Sequence, residues 1–162
     1  RVSSAHFCVP ARSLLILLVL LASVWLAPAG AATPSARLVK VLPHFVDKQG
    51  RIALSPSLYE RDAYQAQLRK NPSEQGGMRF DVQWKSSATN RFALRLELRG
   101  NKENVGTSLV LEQTVKYTGF FSTWSRVPLT KEAQAKLGEL SAWRATMWDG
   151  PRMIAGQKSF LW

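Results

Sequence analysis

The sequence predicts a mainly β domain built as two antiparallel sheets packed face to face. Beyond Gly77, apolar and polar residues alternate with period two, in runs that are separated by turn residues. No regular succession of strand, helix and parallel strand is visible, which argues against a doubly wound sheet. The chain has 162 residues, of which 46% are hydrophobic and 20% charged, so it can form one folded core. A two-sheet sandwich of about seven strands is the predicted architecture.

The first 31 residues differ from the rest and predict a secretory signal peptide. Arg1 and Arg12 are the only Lys, Arg, Asp or Glu residues there, and residues 14–29 form an uncharged apolar run. Ala29-Gly30-Ala31 supplies the small residues that a signal peptidase recognises. The apolar run is shorter than the roughly 20 residues of a spanning helix. An uncleaved N-terminal membrane anchor is the alternative.

Cleavage after Ala31 predicts an exported domain, periplasmic or extracellular, over residues 32–162. This part holds all 11 acidic residues and 20 of the 22 Lys and Arg residues, a net charge of +9. Cys8, the one cysteine, lies in the leader, so the domain has neither disulfides nor a thiolate nucleophile. An exported domain without disulfides favours a bacterial source.

Residues 32–37 are predicted to be a linker and residues 38–162 a single domain. Leu38–Leu42 is apolar enough for a first strand, and Pro43 is expected to close it. The segment that begins near Pro56 has helix-forming features. Pro56 suits a first helical position, and Ser57 with Glu60 has the spacing of a capping box. One amphipathic helix is predicted over about residues 58–70, inserted between the first two strands.

The predicted strands that follow have one apolar and one charged face. Met78, Phe80, Val82 and Trp84 alternate with charged or amide side chains, and residues 92–98 repeat the pattern. A third run spans residues 109–115. A fourth, residues 124–129, is placed at an edge or a bend because it contains proline.

The C-terminal part predicts a short helix and a hairpin. Thr130 is a suitable N-cap and Gly138 a suitable stop for a helix over about residues 131–137. Strands over residues 140–148 and 153–162 are joined by Asp149-Gly150, which favours a type I′ turn centred on these two residues.

This order of elements resembles the immunoglobulin-like and fibronectin type III-like β-sandwich domains of secreted bacterial proteins. The resemblance covers roughly Leu38–Trp162 and rests on architecture, including Trp84 on an early strand, where such folds often bury a tryptophan. The chain departs from the family pattern because it has no cysteine pair and no tyrosine at the corner before the sixth strand. The resemblance implies a fold but not a function.

The sequence shows no catalytic motif, so the domain is predicted not to be an enzyme. His44 is the one histidine after the leader, and no nucleophile motif accompanies it or Asp47. No set of residues fits a metal site or a cofactor, and neither is expected. The carboxylates of Asp81, Glu97 and Glu112 could form a glycosidase pair, but cross-strand ion pairs with basic neighbours are favoured.

Aromatic and basic residues supply the candidate ligand-binding positions. Two tryptophans are assigned to the core because they lie on apolar faces: Trp84 and Trp143. Trp124 and Trp148 alternate with polar residues and are candidates for exposure. Arg95 and Arg99 share one strand face. Two further cations on the second strand, Arg79 and Lys85, are expected to neighbour them across the same sheet.

The function expected from these features is that of a non-catalytic exported domain that binds another protein or a component of the cell envelope. The first alternative is a carbohydrate-binding module that uses Trp124, Trp148, Arg95 and Arg99, with an anionic polysaccharide as ligand. The second alternative is a small hydrolase that uses Asp or Glu with His44. Export and the lack of nucleic-acid motifs argue against nucleic acid as partner, and a membrane is expected only if the leader is uncleaved.

Overall fold

The computed structural model describes residues 35–87, 91–117, 119 and 121–162. The predicted leader and residues 32–34 of the predicted linker lie outside these residues. Within them, seven strands and two helices follow one another along the chain. Their bounds are β1 Ala36–Asp47, α1 Leu58–Lys70, β2 Gln75–Ser86, β3 Arg91–Lys102, β4 Val105–Lys116, β5 Thr123–Thr130, α2 Lys131–Leu137, β6 Glu139–Asp149 and β7 Arg152–Lys158.

The strands form two antiparallel sheets, which confirms the predicted sandwich. The three-stranded sheet has the order β1-β2-β5 and the four-stranded sheet the order β4-β3-β6-β7. Constant-type immunoglobulin domains place the fourth strand with the first, second and fifth. Here β4 pairs with β3 instead, along their whole length from Arg91 and Lys116 to Lys102 and Val105. The chain therefore has the sandwich architecture, but its fourth strand lies in the other sheet from that of a constant-type immunoglobulin domain.

The core lies between the two sheets and consists of the apolar set of each alternating strand. Its largest member, Trp84, is fully buried and meets Phe92 edge to face, with ring centroids 6.0 Å apart. Its indole Nε1 donates to the Ser125 Oγ at 2.9 Å, so the polar atom of this buried ring is satisfied. Trp143 is partly buried and packs against the same core. The two tryptophans predicted for the core are both there.

Both predicted helices are present, with the predicted caps. The Ser57 side chain accepts from the Glu60 N–H at 3.4 Å, and Thr130 accepts from the Ala133 N–H at 3.3 Å. Gly138 follows α2 with a φ of 78°, a conformation that glycine adopts without steric cost. Neither helix, nor any other helix within the described residues, is long and apolar enough to cross a membrane.

Two predictions are wrong in detail: the end of β1 and the turn of the last hairpin. Pro43 does not close β1, which continues to Asp47. Proline is tolerated there because β1 is an edge strand and one side of its backbone has no strand partner. In the last hairpin Asp149 pairs with Arg152, so the central residues are Gly150 and Pro151. Gly150 has a φ of 56° and Asp149 does not have a positive φ, which fits a type II′ turn and not the expected I′ turn.

Candidate functional site

The sandwich has two outer faces, and the four-stranded sheet brings together three of the four predicted binding residues. Arg95 lies over the Trp148 ring, with its guanidinium carbon 5.1 Å from the ring centroid. Arg99 lies over Trp162 at 4.0 Å, and Arg144 approaches the same ring at 5.0 Å. These contacts are in the range of cation–π interactions, each worth about 0.5–1 kcal/mol at exposed sites.

The charges of this face are also paired with one another. Arg95 donates to Glu112 on β4 at 3.0 Å, and Arg144 on β6 donates to Glu97 at 2.6 Å. These are the cross-strand ion pairs that the alternating charges predict, because Arg95 opposes Glu112 in the strand register and Glu97 opposes Arg144. The rings of Trp148 and Trp162 are therefore covered by arginines, and Arg95, Arg99 and Arg144 are engaged with these rings or with carboxylates.

Trp124 lies on the other sheet. It belongs to β5, and its side chain is 47% exposed. Arg79 and Lys85 are likewise on the three-stranded sheet, in β2, so the expectation that they neighbour Arg95 and Arg99 across one sheet is wrong. The structure therefore separates the four predicted residues into Trp124 on one side and Arg95, Arg99 and Trp148 on the other.

The outer face of the three-stranded sheet is a grid of side chains fixed by the strand register. Each row takes one residue from β1, β2 and β5, because the paired residues of neighbouring strands point to the same face. The three rows are Lys40–Gln83–Trp124, Leu42–Asp81–Arg126 and His44–Arg79–Pro128. Trp124 therefore lies among charged residues from three separate parts of the chain.

A groove of about 500 Å³ lies over this grid, and helix α1 forms part of its wall. We call it the sheet groove. Its polar and aromatic lining is Lys40, His44, Arg61, Asp81, Trp124 and Arg126. Three apolar side chains complete it: Leu42, Ile52 and Leu58. Three cations stand in this lining against one carboxylate, so the groove is electropositive.

The single carboxylate of the sheet groove, Asp81, is already paired with an arginine two residues away on β2. Arg79 donates to both oxygens of Asp81, at 2.8 and 2.9 Å, in a bidentate pair. The His44 Nε2 lies 4.0 Å from the same carboxylate. Burial lowers the pKa of His44 from its usual value of 6.5, against the opposing effect of Asp81, so the imidazole is neutral at pH 7.

Two cations of the sheet groove have no protein partner within the described part of the chain. Lys40 and Arg126 are exposed, and their side chains make no hydrogen bond or ion pair with the described residues. Arg61, on α1, donates through Nε and Nη2 to its neighbour Asp62 at 3.0 and 2.8 Å. In contrast to the four-stranded face, this side leaves both a tryptophan ring and positive charge open to a ligand.

Helix α1 is held in place by side-chain hydrogen bonds to the end of β1. The Gln65 amide donates to the carbonyls of Phe45 and Ile52, and its oxygen accepts from the Phe45 N–H, all at 2.8 Å. It thereby pairs backbone groups on the free side of an edge strand, which also protects that edge.

Asp47 makes the second attachment of α1. Its carboxylate accepts from Tyr64 at 2.8 Å, from the Arg51 side chain at 2.7 Å and from the N–H groups of Gln49 and Arg51 at 2.9 and 2.8 Å. Burial opposes ionisation, but these hydrogen bonds outweigh it and lower the pKa of Asp47 to about 2. The helical wall of the groove is therefore fixed to the sheet by defined contacts.

A second concavity, of about 430 Å³, opens between the facing edges of β4 and β5. Trp124 and Arg126 line this concavity as well as the sheet groove. The two residues thus line two neighbouring depressions.

Sequence reasoning found Trp124 but not the residues around it. Arg126 could have been found, since it lies two residues from Trp124 on one strand and shares its face. Lys40 and Arg61 could not be linked to Trp124 by local periodicity, because the strand order and the helix position bring them there. Among the described residues, no group of three or more His, Cys, Asp or Glu is arranged to hold a metal ion.

No protein-family model matches the chain. No curated protein matches it either. Among solved structures, a crystal structure of a protein from Akkermansia muciniphila is similar, with a TM-score of 0.50 and 10% sequence identity over 78% of this chain and 70% of that chain. At this identity the likeness shows the fold alone. The chain therefore shares a β-sandwich fold with that protein.

Proposed function

We propose that this chain is a non-catalytic, exported binding domain that attaches to an anionic component of the cell envelope through the sheet groove. The observation that carries the proposal is the combination of an exposed Trp124 with the unpartnered cations Lys40 and Arg126. A concave, positively charged site concentrates anionic ligands and raises their rate of association. The leader predicted over residues 1–31 supports an envelope location.

The groove is better suited to binding than the face that carries Trp148. Arg95 and Arg144 are already bonded to carboxylates and stacked on rings, so a ligand there would have to displace existing contacts. In the sheet groove Lys40 and Arg126 lose only water when a ligand arrives. The free energy of the new contacts is then not spent on breaking old ones.

The test is sedimentation of the purified protein with insoluble bacterial cell-wall sacculi that retain their anionic polymers. We expect the protein to sediment with the sacculi and to be released by added salt, because exposed charges are screened. Lys40→Glu/Arg126→Glu should abolish sedimentation. Lys102→Glu/Lys158→Glu, which changes the net charge equally at exposed positions away from the groove, should sediment like the unaltered protein.

Equal sedimentation of the two double variants would contradict the assignment of the groove. Hydrolysis of a broad panel of glycosides, esters and peptides by the purified protein would contradict the non-catalytic part of the proposal. Loss of that hydrolysis in His44→Ala would then favour a hydrolase.

A further inference from the structure

We infer that the ligand of the sheet groove is an acidic polysaccharide, in which one sugar ring lies against Trp124 while neighbouring acidic groups are held by Lys40 and Arg126. This inference rests on the proposed function and narrows its ligand to one chemical class.

Trp124 provides the surface for the ring. Its side chain is 47% exposed, and within the described residues no guanidinium stacks on it and its Nε1 has no acceptor. Trp148 and Trp162 differ in this respect, since each carries an arginine over its ring. An exposed, rigid aromatic face is covered most effectively by a flat, partly apolar ring of a ligand.

The cations flank this surface at distances set by the sheet. Arg126 is two residues along β5 from Trp124, a separation of about 7 Å for an extended strand. Lys40 is in the same row as Trp124 but two strands away, at about 10 Å. The positive charges therefore lie beside the ring surface in two directions, where they can pair with acidic groups on the stacked ring or on its neighbours.

Two hydrogen-bond acceptors, Asp81 in the groove lining and Gln83 in the row of Trp124, favour a ligand that also carries hydroxyl groups. Asp81 is an acceptor whose two oxygens each receive one arginine N–H and have lone pairs left over. Gln83 lies between Lys40 and Trp124, and its amide donates to Ser122 at 2.8 Å, which leaves its oxygen as an acceptor. Hydroxyl groups of a sugar can donate to both acceptors.

The same lining disfavours other polyanions. A single-stranded nucleic acid is typically held by several stacking rings along a continuous basic groove, whereas the sheet groove has one such ring and a carboxylate at its centre. An acidic peptide supplies charge without a ring at each repeat. The ring, hydroxyl groups and acidic groups required by this site occur together in an acidic polysaccharide.

The experiment compares four polymers by calorimetry and tryptophan fluorescence: polygalacturonate, its methyl ester, poly-L-glutamate and oligo-dT. The first two have the same rings with and without charge, and the third has charge without rings. We expect polygalacturonate to bind at least tenfold more tightly than each of the others, with a change in tryptophan emission. Trp124→Ala should weaken this binding at least tenfold, whereas Phe160→Ala, at a fully exposed aromatic residue, should leave it unchanged.

The charge contribution is tested separately with Lys40→Gln/Arg126→Gln, which should weaken binding at least tenfold and reduce its dependence on salt. Equal binding of poly-L-glutamate or oligo-dT, or unchanged affinity in Trp124→Ala, would overturn the inference. If sacculi are bound through the groove but polygalacturonate is not, the inference fails while the proposed function stands. If Lys40→Glu/Arg126→Glu still sediments with sacculi, both fail.

Discussion

Replacing Asp47 by asparagine should destabilise the protein at neutral pH and remove part of its sensitivity to acid. The carboxylate receives four hydrogen bonds, from two backbone N–H groups, the Arg51 guanidinium and the Tyr64 hydroxyl. An asparagine keeps one accepting oxygen but turns an N–H₂ group toward two of the donors. The substitution therefore removes bonds between the β1 end and helix α1 without removing volume.

The pKa of Asp47 gives the magnitude. It falls from 3.8 to about 2, and at about 1.4 kcal/mol per pKa unit this corresponds to roughly 2 kcal/mol. The Arg51 side chain is 52% exposed, so solvent screens part of this interaction. We expect a loss of about 1–2 kcal/mol at pH 7, which lowers the Tm by about 4–8 °C for a domain of this size.

The sign of the pH dependence follows from the lowered pKa. The ionised carboxylate stabilises the folded state fully above about pH 4, and this stabilisation is lost as the pH falls toward the folded-state pKa of about 2. Urea denaturation followed by tryptophan fluorescence should show the difference between Asp47→Asn and the unaltered protein at pH 7, with most of it gone at pH 2. Asp62→Asn, at a 70% exposed carboxylate, is the control. A variant as stable as the unaltered protein at pH 7, or a difference equally large at pH 2, would refute the reasoning.

Three further substitutions test the fold. Gln65→Ala removes three 2.8 Å hydrogen bonds to the backbone and should cost about 1.5–3 kcal/mol in urea denaturation, whereas Gln67→Ala should cost less than about 0.5 kcal/mol. Trp84→Phe leaves a gap and an unpaired Ser125 hydroxyl, so its free energy of unfolding should fall by about 1–3 kcal/mol; no change would contradict the buried indole bond. Gly138→Ala forces a side chain into a positive φ and against the β3 backbone, and a Tm within 1 °C of the unaltered protein would argue against that geometry.

Local patterns predicted those features that are determined locally. Alternation with period two assigned Trp84 to the core and Trp148 to the outer face, because a strand has only two faces. Pro128 predicted that β5 lies at an edge or at a bend, and β5 is an edge strand, where the missing N–H of proline breaks no ladder hydrogen bond. The prediction that β1 ends at Pro43 was wrong because an edge strand can contain proline. Which strand lies at an edge depends on the sheet topology, which local patterns do not determine.

The candidate site depends on long-range pairing, which alternation does not contain. Arg79 was expected beside Arg95 because both lie on charged strand faces, but β2 and β3 belong to different sheets. Lys40 meets Trp124 only through the order β1-β2-β5. Arg61 reaches the groove only because Gln65 and Asp47 hold α1 against β1. The residue types of the site were visible in the sequence, but their juxtaposition required the sheet topology.

The most direct test of the sheet groove is to follow the indole N–H signals of the tryptophans by ¹H–¹⁵N NMR while polygalacturonate or poly-L-glutamate is added. The Trp124 signal is assigned from the spectrum of Trp124→Phe. If the groove is the binding surface, the Trp124 signal moves or broadens at the lowest polymer concentrations, while the Trp148 and Trp162 signals keep their positions. Movement of the Trp148 and Trp162 signals with an unchanged Trp124 signal would place binding on the four-stranded sheet and contradict the account.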